Sequence, residues 1–205
     1  MNTEDIKRIY SNQSNFYDLI FKWFFFPRQE YVINQMGIKP DEKILDVGVG
    51  TGLSLSLYPT YCHVTGIDLS TQMLNKAHKK VKKHDLKNIT LKQMDAMELQ
   101  FEDNTFDKVI ASFVISVVPD PVRVIAEMKR VCKNNCNLIL INHFQSNNKI
   151  MAKIEDMVNP ICRKIGWRTD VDLDSLIIES NLQVDMKYTL NKFDLWKIVF
   201  ATNNK

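Results

Sequence analysis

The sequence predicts one α/β domain: a mostly parallel sheet with helices on both faces and an antiparallel hairpin finishing one edge. Three observations predict it. From Lys43 onward, short apolar runs alternate with amphipathic stretches of helical period, the pattern of strands joined by right-handed crossovers. Most of those runs are dense in β-branched residues or Leu, as strands buried on both faces should be. Residues 184–190 and 193–201 are separated only by a short turn around Asn191-Lys192, and strands joined so tightly must be antiparallel.

The 205 residues, 45% hydrophobic and 25% charged, suffice for one full-sized domain and are too few for two. We read residues 1–40 as an N-terminal helical segment and 41–205 as the core. The apolar and aromatic content excludes disorder as the main state. No apolar run reaches the ~18 residues of a membrane span. Glu4, Asp5 and Asp18 interrupt the place where a signal peptide would be apolar, so a cytoplasmic location is expected. Cys62, Cys132, Cys136 and Cys162 form no C-x-x-C, and the four histidines show no ligand spacing. Reduced thiols and no metal are therefore expected.

The elements follow in order. In the N-terminal segment, Ser11, Ser14, Asn15, Asp18 and Lys22 form a narrow polar stripe, and everything else from Phe16 to Phe26 is apolar. Such a helix needs cover on nearly every side. It serves either as a lid packed on the core or as an interfacial membrane helix that also roofs the site. Strands are expected at 44–47, 64–67, 89–92, 108–112 and 137–142, with helices at 53–58, 71–83 and 121–131. The last of these has Asp120 as N-cap and Pro121 in the first turn, a favourable start. Residues 150–165 and 173–179 also read as helical, ahead of the two hairpin strands.

The chemistry starts at Asp46-Val47-Gly48-Val49-Gly50-Thr51-Gly52, where a buried strand runs into a glycine-rich turn. Glycines there permit positive φ and close approach of a ligand. The spacing is G-x-G-x-G, and Leu53 stands where a dinucleotide fingerprint would need its third glycine. Asp46, just before the glycines, would repel a pyrophosphate and suit a cationic ligand. Asp68 ends the second strand, where a carboxylate accepts both ribose hydroxyls or, alternatively, caps a helix. Asp95 follows the third strand and can accept from an adenine amine, with Met97 and Leu69 offering apolar faces. Ser112 ends the fourth strand beside the crevice.

This set resembles the class I S-adenosylmethionine-dependent methyltransferases over Lys43–Leu140. The resemblance implies a Rossmann-like seven-stranded fold and S-adenosylmethionine as cofactor, with S-adenosylhomocysteine as product and no metal. It implies contacts from Tyr10, Asp46, Gly48, Gly50, Thr51, Gly52, Asp68, Leu69, Met73, Asp95, Ala96, Met97 and Ser112. Lys133-Asn134-Asn135-Cys136 departs from the Pro-Gly-Gly that many relatives carry before the fifth strand. No Asn-Pro-Pro-Tyr or Asp-Pro-Pro-Tyr follows the fourth strand, which argues against planar-nitrogen acceptors. Tyr17-Asp18-Leu19-Ile20-Phe21, the glycine loop, Gly66-Ile67-Asp68-Leu69-Ser70, Val114-Ile115-Ser116-Val117-Val118-Pro119 and Gly166-Trp167-Arg168-Thr169 are together similar to bacterial phosphatidylethanolamine N-methyltransferases. That similarity implies peripheral enzymes that methylate phosphatidylethanolamine toward phosphatidylcholine. Alternatives are another small or hydrophobic acceptor, such as a quinone precursor, or a silent cofactor-binding protein.

Tyr17 and His143 are candidates for taking the amine proton or hydrogen-bonding the headgroup. Tyr10, Phe113 and Trp167 could contact a methylated ammonium by cation–π attraction. Between Lys76 and Lys92, lysines 76, 79, 80, 82, 83, 87 and 92 face one acid, Asp85. They read as a solvated face or as an attraction to an anionic surface. The resemblance selects a membrane rather than nucleic acid, leaving the oligomeric state open.

Overall fold

The computed structural model describes residues 25–145, 157, 159, 168–190 and 196–205. Seven strands form one sheet: β1 (Lys43–Val47), β2 (His63–Asp68), β3 (Ile89–Gln93), β4 (Phe106–Ser112), β5 (Cys132–His143), β6 (Gln183–Tyr188) and β7 (Trp196–Thr202). Their order is β3-β2-β1-β4-β5-β7-β6. The first five are mutually parallel, and β7 lies antiparallel between β5 and β6. The helices are α1 (Phe26–Gln35), α2 (Thr71–Lys83), α3 (Pro121–Val131) and α4 (Leu173–Glu179).

Strand alternation sorts the core into two layers. Leu45, Val47, Val109, Ala111, Leu138, Leu140, Val199 and Ala201 meet Val124, Ile125 and Met128 of α3 and Leu173 and Leu176 of α4. Ile44, Val64, Ile110, Ile139, Ile141 and Ile198 meet Val32 and Ile33 of α1 on the other face. The expected caps are present in α2 and α3: Ser70 Oγ accepts from Met73 N, and Asp120 accepts from Arg123 N.

Two local expectations are corrected. Residues 53–58 form only a short 3₁₀ turn, Leu55–Leu57. Ser54 gives its hydroxyl hydrogen to Asp46, and Tyr58 is extended ahead of Pro59, as a residue before proline prefers. Cys132 and Cys136 are paired as a disulfide, while Cys62 is free and buried. Their approach follows from a register jump in which Phe106 pairs with Cys132 but Lys108 with Asn137. The extra residues of β5 loop out, with Asn135 at φ 59°, a region Asn tolerates. Asn203 holds this loop: its Nδ2 donates to the carbonyls of Lys129, Cys132 and Lys133. Of the expected helix at 150–165 only Met157 and Asn159 are described, both helical, and the turn at Asn191-Lys192 lies outside the described residues. Among the described residues, no helix is long and apolar enough to cross a membrane, and no group of acids, His and Cys could hold a metal.

Candidate functional site

The parallel strands β1 to β4 end at one rim of the sheet, and a cleft opens there. It is lined by the carboxyl ends of these strands and the loops after them, with Phe25 and Gln29 at one side, the place where open α/β sheets bind ligands. One wall is the loop after β1, anchored where Gly48 N and Val49 N both donate to Ile67 O. Its three glycines are all at positive φ, for three different reasons. A Cβ on Gly48 would lie 2.1 Å from Val114 Cγ2. One on Gly52 would crowd Leu55 and Ala77 at 2.8 and 3.0 Å. One on Gly50 would meet nothing closer than 4.0 Å, because Gly50 faces the cleft.

Asp68 braces the loop. Its Oδ2 accepts from Gly50 N at 2.9 Å and its Oδ1 from Ser70 N at 2.8 Å. Burial pushes its carboxyl above the usual range, opposed by the backbone N–H groups of Ser70, Gly50 and Leu69. The residue lines the cleft. Next along the rim, Met94 N donates to Asp68 O, and Asp95 Oδ1 accepts from Met97 N at 2.9 Å. Arg123 Nε donates to Met97 O, fastening this segment to α3.

The β4 end is aromatic. Phe113, immediately after Ser112, is held at φ 63°, a strained conformation for a bulky residue and one that gathers at functional sites. Its amide donates to Ile141 O. Its ring centroid lies 4.1 Å from that of Phe25, at 58°. Gln29, one turn further along α1, joins them on the wall, and Val114, Val117 and Val118 complete it.

Of the residues expected at the site, Gly48, Gly50, Thr51, Asp68, Leu69, Met73, Asp95, Ala96, Met97 and Ser112 lie together on the cleft wall. Three others do not reach it. Asp46 turns to the Ile44 face of β1, where its Oδ2 accepts from Ser54 Oγ at 2.8 Å and Tyr58 OH at 3.0 Å. Burial lifts its carboxyl to about 6, although both hydroxyls oppose the shift. Gly52 packs beneath the loop. His143 is 3% exposed on the α1 side of β5, with its ring 6.1 Å from Trp196. Arg28 covers the Trp196 ring at 4.6 Å. Tyr10, Tyr17 and Trp167, with most of the aromatic segment, lie outside the described residues. Sequence reasoning missed Gln29, although a signal existed. Phe25, Gln29, Val32, Ile33 and Met36 fall at i, i+4, i+7, i+8 and i+11, so Gln29 is a polar residue within an apolar stripe.

Thr51 also accepts from Lys80 Nζ at 3.2 Å. Lys82 and Lys83 stand farther from the cleft. α2 starts at the rim with Ser70 and Met73, and Lys82 and Lys83 close its last turn, ~18 Å down its axis.

Comparison with known proteins agrees with this geometry. Residues 45–140 match the methyltransferase domain family. A phosphatidylethanolamine N-methyltransferase from Cereibacter sphaeroides is 43% identical over 143 residues, which cover 69% of this chain and 70% of that one. A demethylmenaquinone methyltransferase of Staphylococcus aureus is 39% identical over 141 residues, 64% of this chain and 57% of that enzyme. A solved structure of phosphoethanolamine N-methyltransferase 2 from Haemonchus contortus, in complex with S-adenosyl-L-methionine, shares the fold. Its TM-score is 0.78 at 16% identity, covering 98% of this chain and 60% of that one. The chain belongs to the class I S-adenosylmethionine-dependent methyltransferases.

Proposed function

We propose that this enzyme transfers methyl groups to the amine of phosphatidylethanolamine, on the way to phosphatidylcholine. The observation that carries this reading is the 43% identity to the Cereibacter sphaeroides enzyme, spread over two thirds of both chains. The cleft supports it. Phe25 and Phe113 present aromatic faces at the β4 end, and such faces attract an amine as it gains charge and methyl groups.

S-adenosylmethionine supplies an electrophilic methyl on a positive sulfur. The chain's part is positioning and exclusion of water. Asp68 would hold the ribose, and Asp95 would accept from the adenine amine between Leu69 and Met97. Gly50 leaves room for the methionine portion, and Asp46 acts from beneath the loop by fixing Ser54. The sheet order puts β3 and β4 three strand spacings apart, ~14 Å, so the Asp95 segment that would hold adenine and the aromatic acceptor end stand well apart. The attacking nitrogen must be neutral. Tyr17 is proposed to take or share its proton, and His143 supports Trp196 from within.

Transfer of labelled methyl to phosphatidylethanolamine in vesicles containing anionic lipid tests the reading. Labelled mono-, di- or trimethylated lipid is expected. The staphylococcal relatives favour a second reading, methylation of a quinone precursor. No lipid product beside rapid methylation of such a precursor without vesicles would select it.

A further inference from the structure

Gln29 is 9% exposed, lines the cleft, and its Oε1 has no hydrogen-bond partner among the described residues. A buried amide carbonyl without a donor is costly, and native structures rarely leave one without a use. The side chain sits one helical turn from Phe25, whose ring packs on Phe113 beside Ser112. Gln29, four residues after Phe25, therefore shares with Phe25 and Phe113 the wall at the β4 end of the cleft. Phe25, Phe113, Val114, Val117 and Val118 are apolar, and Ser112 brings a side-chain hydroxyl to that end.

We propose that Gln29 Oε1 accepts a hydrogen bond from the N–H of the acceptor amine and thereby aims its lone pair at the transferable methyl. The inference rests on the lipid-amine reading above and adds the residue that orients the nucleophile. In the step, the amine lone pair forms the N–C bond while the C–S bond breaks. The bonding pair stays on sulfur, which becomes a neutral thioether. In the first two transfers the nitrogen becomes positive and later releases one proton to solvent or to a neighbouring base; the tertiary amine of a third transfer has no N–H for Gln29 to accept and no proton to release. The amide oxygen suits this course. It bonds the amine before transfer and stabilises the growing positive charge, yet carries no charge that would hold the amine in its unreactive ammonium form.

Two variants test this with vesicles containing phosphatidylethanolamine. Gln29→Met keeps the length of the side chain and removes the acceptor. Its kcat/KM should fall about tenfold or more, while calorimetry finds S-adenosylmethionine affinity within about twofold of the parent. Gln29→Glu puts a carboxylate beside the amine, which favours the ammonium. The acid limb of its kcat/KM profile should move to higher pH by about half a unit or more. Gln29→Met activity within about twofold of the parent, or equal losses in both variants with the limb unmoved, would overturn the role of Gln29. Failure of the parent enzyme to label any lipid amine is a different result. It removes the lipid reading before any variant is made, and the role of Gln29 falls with it.

Discussion

At the scale of single residues, two of the loop glycines make separable predictions. Gly50→Val puts a side chain into the cleft at a φ of 56°. Calorimetry should find cofactor binding largely lost while circular dichroism shows the fold retained. Gly48→Ala drives a Cβ into Val114, so its damage should appear as a lower melting temperature, in the ~1–3 kcal/mol range of overpacking. Asp68→Ala removes a charged acceptor from two loop amides and from the ribose. It should weaken cofactor binding by about 1.5–3 kcal/mol, and NADH should not bind measurably to the parent. Asp46 makes a prediction about pH. Its carboxyl moves from the ordinary 3.8 to about 6 on folding. Between those values the folded chain holds a proton the unfolded chain has released, so stability falls as pH rises through that window. Above it the ionised group costs on the order of 3 kcal/mol. Asp46→Asn should therefore stabilise the protein at pH 7.5 and leave it little changed at pH 4, as read by urea unfolding.

At the scale of elements, Arg130 of α3 holds the connection that follows the Asp95 segment. It donates to the carbonyls of Leu99 and Phe101 and to the carboxylates of Asp103 and Glu127. Glu127 in turn accepts from Leu99 N. Arg130→Ala should cost about 2 kcal/mol of stability and should speed amide exchange across residues 95–103 more than in β1. Elements governed by local chemistry were legible in the sequence. Asp120-Pro121 starts a helix because a cap and a fixed φ act within one turn, and Asp46 to Asp68 carries the spacing of a strand–loop–strand unit. The short turn at Leu55–Leu57 was not legible, because Ser54 is engaged by Asp46, eight residues earlier. His143 sits at the expected strand end, but only the pairing with β7 reveals that Trp196 stands beside it. The loop within β5 depends on Asn203, 70 residues away, and no local pattern announces it.

At the scale of the whole molecule, part of the lysine group stands away from the cleft. Lys82, Lys83 and Lys87 are exposed at the far end of α2 and just beyond it. An enzyme that presents its cleft to a membrane keeps these three away from the lipid. Co-sedimentation with anionic vesicles should thus change less than about twofold in a Lys82→Glu/Lys83→Glu variant at 0.15 M salt. A tenfold loss would mean that the enzyme lies on its α2 flank. The sheet order has a consequence of a different kind. β7 follows β6 in the chain yet lies between β5 and β6. During synthesis, β6 emerges with no strand to join, and β5 waits with an open edge rich in Ile and Leu. Both stay unpaired, and prone to pair wrongly, until residues 196–202 arrive to fill the gap from one side and seat β6 on the other. The assembly order of this half of the sheet is therefore the reverse of its order of translation.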